Sequence, residues 1–239
     1  MALRQSGATW TTVSGETGVS LSTVIGWSKD PEAFARRRAS CARCGSAVLP
    51  EEAYAALLGF YLGDGHIARG KRYYALRVSC DATYPSIIED VAACMAAVHP
   101  TGREALLRRP GCVNVQSRWQ HWPCLFPQHG PGPKHLRPIL LEEWQRTIVE
   151  DHPGPFLRGL FHSDGSRVKN WARRPVAGQL KTYEYPRWQF VNASQDIREL
   201  CCWALDLVDI PWRQSNVRVI SVSRREAVAR LDELIGLKS

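Results

Sequence analysis

The chain has 239 residues, of which 44% are hydrophobic and 23% charged, a balance that excludes an intrinsically disordered protein and can furnish a sizeable core. No apolar run reaches the roughly 18 residues of a membrane span, and MALRQSGATWTT lacks the basic-then-apolar order of a signal peptide, so a cytoplasmic protein without membrane contact is expected. The formal net charge of +8 favours a polyanionic partner, and only six of the 31 basic residues are Lys, leaving mostly arginine, which suits bidentate phosphate contacts.

Residues 11 to 27, TTVSGETGVSLSTVIGW, carry the pattern of two short helices across a turn. Val13 and Thr17 are expected to face inward from the first helix, Gly18 to permit the turn, and Val19, Val24 and Ile25 to pack the second. Ser20 is a good N-cap, and Leu21, Ser22 and Thr23 after it are the residues that such a unit presents to a major groove. The stretch resembles the helix-turn-helix modules of resolvases and repressors. A basic linker, DPEAFARRRAS, leads to CARCG, where Cys41 and Cys44 have the spacing of half a tetrahedral zinc site. The remaining ligands are sought in HWPCLFPQHGPGPKH, with Cys124 and His129 chosen from a cluster that also holds His121 and His135. Cys80, Cys94, Cys201 and Cys202 read as small buried hydrophobes, and the eight cysteines do not suggest a disulfide framework. The nine tryptophans fall mostly on apolar faces and read as core residues rather than a stacking platform for single strands.

From residue 51 the chain reads as two copies of one unit. In the first, EEAYAALLGFYLGDG is a helix, strands follow around HIARG and YYALRVSC, and YPSIIEDVAACMAAV is a second helix. REALLRR and GCVNVQS then form a hairpin, and LRPILLEEWQRTIVED is a last helix. In the second, PFLRGLFHSDG is the helix, strands lie around SRVKNW and YPRWQFVN, and SQDIRELCCWALDLV is a helix capped by Ser194. IPWRQS and VRVISVS make the hairpin, and RREAVARLDELIG closes the chain on a helix that Gly236 terminates. Segments 119–135 and 173–184 read as insertions. The expected division is 1–35 for the helix-turn-helix, 36–50 for a linker with the C-x2-C pair, and 51–152 and 153–239 for the repeats.

Both copies open on related stretches, LLGFYLGDG at 57–65 and LRGLFHSDG at 157–165, each an apolar, small-residue helix that ends on an aspartate. Paired motifs in this element order resemble the single-chain, two-motif LAGLIDADG homing endonucleases. The resemblance implies an α+β, pseudo-two-fold αββαββα duplication with two antiparallel sheets forming a saddle over double-stranded DNA, in a protein that is a monomer through its internal symmetry. It implies that the two motif helices cross, with Gly59, Gly63, Gly159 and Ser163 as small groups that let the backbones approach. Asp64 and Asp164 then meet as catalytic carboxylates and ligands of Mg²⁺, which supports metal-assisted cutting of both strands.

The strands after each motif are the expected DNA face. Arg77, Arg187 and Gln189 alternate with apolar residues, as base-reading side chains would. Arg69, Lys71, Arg72, Lys169 and Lys181 are the expected phosphate contacts. Arg77 and Arg187 are also the weaker candidates for a basic residue beside the metals, because no lysine occupies matching places in both halves. The function expected is a site-specific, metal-dependent double-strand endonuclease. The alternative is a non-cleaving, sequence-specific transcriptional regulator that retains the saddle.

Overall fold

The computed structural model describes residues 7–30, 32, 39–176 and 179–238. The chain divides into two compact units, Met1–Val48 and Leu49–Ser239.

In the smaller unit, α1 (Trp10–Thr17) ends on Gly18 in the left-handed conformation at φ 67°, and α2 (Leu21–Lys29) starts under a Ser20 cap that accepts from the Thr23 N–H at 3.3 Å. Ser14 Oγ donates to Val19 O at 2.6 Å and fastens the first helix to the turn. Val24 is buried and Val13 half-buried, but Thr17 is exposed, contrary to its expected inward position. Its hydroxyl donates instead to Val13 O at 2.6 Å, which needs no burial. Most of the linker DPEAFARRRAS lies outside the described residues.

The larger unit holds the repeated helices and sheets. Its first half comprises α3 (Glu51–Leu62), β1 (Gly65–Arg69), β2 (Tyr74–Asp81), α4 (Pro85–Val98), β3 (Glu104–Arg109), β4 (Cys112–Trp119), a single turn α5 (Trp122–Leu125) and α6 (Glu143–Asp151). The second comprises α7 (Pro153–Asp164), β5 (Gly165–Val176), β6 (Gln179–Val191), α8 (Gln195–Leu207), β7 (Arg213–Asn216), β8 (Val219–Val222) and α9 (Arg225–Ile235). Each half folds its strands into one antiparallel sheet, in the orders β1-β2-β4-β3 and β5-β6-β8-β7. This is the α+β duplication anticipated from the repeated element order.

Period-2 alternation decides the two faces of each sheet. Leu76, Val78, Val113 and Val115 of the first sheet, and Trp188, Phe190 and Val222 of the second, are buried on the face that carries the helices. The opposite face holds Arg77 paired with Gln116 and Ser79 paired with Asn114 in the first sheet, and Ser166 paired with Gln189 and Val168 with Arg187 in the second. Between the sheets run α3 and α7, buried through Leu57, Leu58, Phe60, Tyr61 and Leu62 on one side and Phe156, Leu157, Leu160 and Phe161 on the other. Burial of each such side chain stabilises the fold by roughly 1.5–3 kcal/mol.

Two expectations are corrected. The helix anticipated from Leu136 onward begins at Glu143, because Pro138 removes a backbone donor and the Glu142–Gln145 capping box sets a later start. The strands expected around SRVKNW and YPRWQFVN run longer: β5 and β6 stay in register through the inserted segment 173–184 to the pair Val176 and Gln179, and the sequence signal failed because this part of the hairpin has no buried face to impose alternation. Trp171, two residues before that segment, is 61% exposed, an exception to the core reading of the tryptophans.

Candidate functional site

The crossing of α3 and α7 is built on missing side chains. A Cβ on Gly59 would stand 2.3 Å from Phe156 O, and one on Gly159 would stand 2.2 Å from Ala56 O, so backbone meets backbone at this level. One turn further, a Cβ on Gly63 would stand 2.3 Å from Ser163 Cβ and 3.3 Å from Asp164 Oδ2. No larger residue fits at these places without separating the helices.

This contact carries Asp64 and Asp164 together at the ends of the two helices. Burial raises the pKa of Asp64, although its side chain still reaches solvent, while Lys134 and Lys238 pull it back. Asp164 is pushed up to about 6, first by burial and then by the negative charge of Asp64. Asn192 Nδ2 donates to Asp164 Oδ2 at 2.6 Å and opposes that rise. Two carboxylates that disfavour each other's charge at two helix C-termini form a site short of positive charge.

Sequence reasoning missed the lysines that partly supply it. Lys134 Nζ donates to the carbonyls of Tyr61, Gly63 and Gly65 at 2.6, 2.7 and 2.9 Å, and so caps the end of α3. At the equivalent position of α7, Lys238 Nζ approaches Ser163 O at 3.5 Å. Burial lowers the pKa of both amines, Lys134 to about 8, while both aspartates act to raise them. Neither lysine lies beside a motif: one is in a Pro/Gly/His loop and the other in the C-terminal tail. The sole sequence signal is rarity, for both belong to the chain's six lysines.

The loop bearing Lys134 is held by a buried polar chain. Tyr54 Oη donates to Leu125 O at 2.5 Å, and Gln145 Nε2 donates to Tyr54 Oη at 2.7 Å. Gln128 Nε2 reaches Gln145 Oε1 at 2.6 Å and Leu140 O at 2.7 Å, while Arg137 Nη1 donates to Gln128 O. These bonds leave the loop few alternative conformations, and thereby fix where the ammonium group stands.

Arg77 and Arg187 lie on the open sheet faces, and the cations that act on both carboxylates are the two lysines. Arg77 Nε donates to Gln116 Oε1 at 2.5 Å. Gln189 and Lys181 share the open face with Arg187, whereas Arg69 and Lys169 fall on the opposite face by register. Lys71 and Arg72 are exposed between β1 and β2, and Leu21, Ser22 and Thr23 are exposed on the first turn of α2.

Each half of the anticipated zinc set has its own geometry. In the smaller unit the CARCG segment turns through a Gly45 N–H to Cys41 O bond of 2.9 Å. In the larger unit His121 Nδ1, not His129, stands 3.8 Å from Cys124 Sγ. The reason is helical spacing: His121 precedes the single turn α5 that carries Cys124, while the His129 ring packs edge-on against Tyr74 with centroids 5.8 Å apart.

The aspartate pair suits a hard divalent cation by its donor chemistry. It offers two carboxylates with raised pKa values, beside a buried Ser163 hydroxyl that has no hydrogen-bond partner.

No family model matches the chain, and no curated protein matches it. Solved structures do. The homing endonuclease I-DmoI in complex with DNA and Mn superposes with a TM-score of 0.51 at 13% identity, covering 78% of this chain and 98% of that one. The same enzyme in complex with DNA and Ca gives 0.50 at 12% identity, covering 78% and 91%. The N-terminal LAGLIDADG domain of DUF199/WhiA gives 0.49 at 14% identity, covering 79% and 83%. Two four-stranded antiparallel sheets about a glycine-packed helix pair, shared at this coverage with I-DmoI, identify the fold of this chain as the LAGLIDADG fold of homing endonucleases.

Proposed function

We propose that this protein is a site-specific, double-stranded DNA endonuclease that hydrolyses one phosphodiester in each strand. The carrying observation is the convergence of Asp64 and Asp164 from equivalent helix ends, in a site deficient in positive charge. I-DmoI, which has the same fold, has been captured with DNA and with Mn or Ca. In this reading the open sheet faces receive the duplex, Arg77, Gln116, Arg187 and Gln189 face its bases, and Lys71, Arg72 and Lys181 meet phosphates. Leu21, Ser22 and Thr23 of α2 add a second, smaller contact with DNA.

Asp64 and Asp164 would hold the cation, taken here to be Mg²⁺, through their carboxylate oxygens. When bound, it supplies the charge that polarises the scissile phosphate and acidifies an attacking water. Lys134 and Lys238 keep positive charge at both helix ends, and Asn192 orients the Asp164 carboxylate. In each strand water adds to phosphorus, one P–O bond breaks, and the leaving oxygen takes a proton.

A separate structural metal is also proposed. Cys41 and Cys44 offer two thiolates at the C-x2-C spacing of a zinc half-site. Purified protein is expected to contain one zinc per chain by elemental analysis, and its absence removes this proposal.

The decisive experiment selects a bound site from a random duplex library and incubates it with Mg²⁺, using Asp64→Asn and Asp164→Asn as controls. Cleavage of both strands that either substitution abolishes supports the endonuclease. Tight binding with no nick in Mg²⁺ or Mn²⁺ replaces it with the non-cleaving regulator.

A further inference from the structure

The two halves differ in the hairpin that follows each motif helix. β1 and β2 remain in register over five residue pairs, from Gly65 and Val78 to Arg69 and Tyr74. β5 and β6 do so over twelve, from Gly165 and Phe190 to Val176 and Gln179. At about 3.3 Å per residue the difference lengthens the second hairpin by roughly 23 Å. That length spans about seven base pairs at ~3.4 Å each.

Among the described residues, the added length has no further strand beside it in its own sheet. β8 pairs with β6 only from Trp188 to Val191, so the part from Gln179 to Arg187 is bonded to β5 alone. Leu180 and Trp171 are 64% and 61% exposed. An isolated two-stranded ribbon is marginal in water, and a ribbon of this width is an element that the major groove of a duplex admits.

Charge selects the partner. The two strands contain six basic residues, Arg167, Lys169, Arg173, Arg174, Lys181 and Arg187, and one acid, Glu184. Arg167 is already bound by Asp232 at 2.8 Å on the helix side. Antiparallel register puts Lys181, Tyr183, Tyr185, Arg187 and Gln189 on the open face together with Asn170, while Glu184 pairs with Trp171 on the other. The open face is thus free of carboxylates along its whole length. Arg187 Nε is buried there with no hydrogen-bond partner.

We propose that the β5–β6 hairpin extends along the major groove beyond the reach of β1–β2, so that the protein covers an asymmetric duplex site about seven base pairs longer on the side of the second repeat. This rests on the DNA-binding reading above. The short hairpin is confined to the central part of the site, and the long one adds an outer block of contacts made by Lys181 and Tyr183.

The test is hydroxyl-radical footprinting of the full chain on its selected duplex without divalent cations, beside the surface variant Lys181→Ala/Tyr183→Ala. The expected footprint is longer on one side of its centre by about seven base pairs. The variant, unchanged in Tm, loses protection of the outer block alone, binds roughly tenfold more weakly, and lowers the salt slope by about one. A footprint symmetric about its centre, or a variant that weakens protection evenly, overturns this inference and leaves the DNA-binding reading intact. No retention of any duplex at low salt overturns both.

Discussion

The two motif helices end in matching places but not in matching environments. At the end of α3, Lys134 binds three carbonyls, whereas at the end of α7 Lys238 approaches one at 3.5 Å and Asn192 holds the carboxylate from the side. The result is electrostatic inequality: both lysines oppose the rise in each carboxylate, but Asp164, raised by burial and then by the charge of Asp64, is still pushed up to about 6. Pseudo-symmetry of the backbone therefore does not make the two carboxylates chemically equivalent. The hairpins repeat the lesson, one short and braced, the other long and free at its outer part.

Several substitutions sharpen or break this comparison. The largest effect is expected where the halves are most alike. Gly159→Val places side-chain atoms into Ala56 O and should cost about 3 kcal/mol or more in chemical denaturation, whereas Gly111→Ala, open in space but at φ 71°, should cost about 1 kcal/mol. If Gly159→Val unfolds with an unchanged midpoint, the helices do not depend on this contact.

Next come the lysines. Lys134→Met is expected to lose about 2 kcal/mol, because three carbonyls lose a charged donor, and Lys238→Met less than about 1 kcal/mol. Equal losses would show that the two helix ends are stabilised alike.

A smaller effect of opposite sign separates the aspartates. A carboxyl with its folded pKa raised binds its proton more tightly in the folded chain, so its contribution to stability is complete below the ordinary value of 3.8 and is lost as pH rises through about 6. Asp164→Asn keeps a neutral group at every pH. In metal-free buffer it should raise Tm at pH 8 by roughly 2–4 °C, with the gain vanishing near pH 4. Asp64→Asn should give less. Divalent cation should in turn raise the Tm of the unmodified chain and leave that of the double Asp64→Asn/Asp164→Asn variant unchanged, as expected for a ligand that binds the folded state at those groups.

LLGFYLGDG and LRGLFHSDG were sufficient to pair two helices and to bring two aspartates to one place, because small residues at helical spacing leave a backbone surface that fits little except another backbone. The alternation in YALRVSC and PRWQFVN likewise assigned sheet faces from local order alone, since a half-buried strand must obey period two. Local pattern failed where burial did not impose it. The inserted residues of the outer β5–β6 ribbon gave no strand signal because they have no buried face.

Lys134 and Lys238 show the other limit. Their charges act on the carboxylates from a loop after α5 and from the tail after α9, and each is placed by interactions distant in sequence, Lys134 through the Tyr54, Gln128 and Gln145 chain. His121 rather than His129 meets Cys124 for a similar reason, since one short helical turn and one aromatic contact decide which ring is available. Periodicity and spacing are enforced by the chain's own geometry and can be read along it. The charge balance of a site is a sum over groups that only folding brings near one another, and here it was decided in three dimensions.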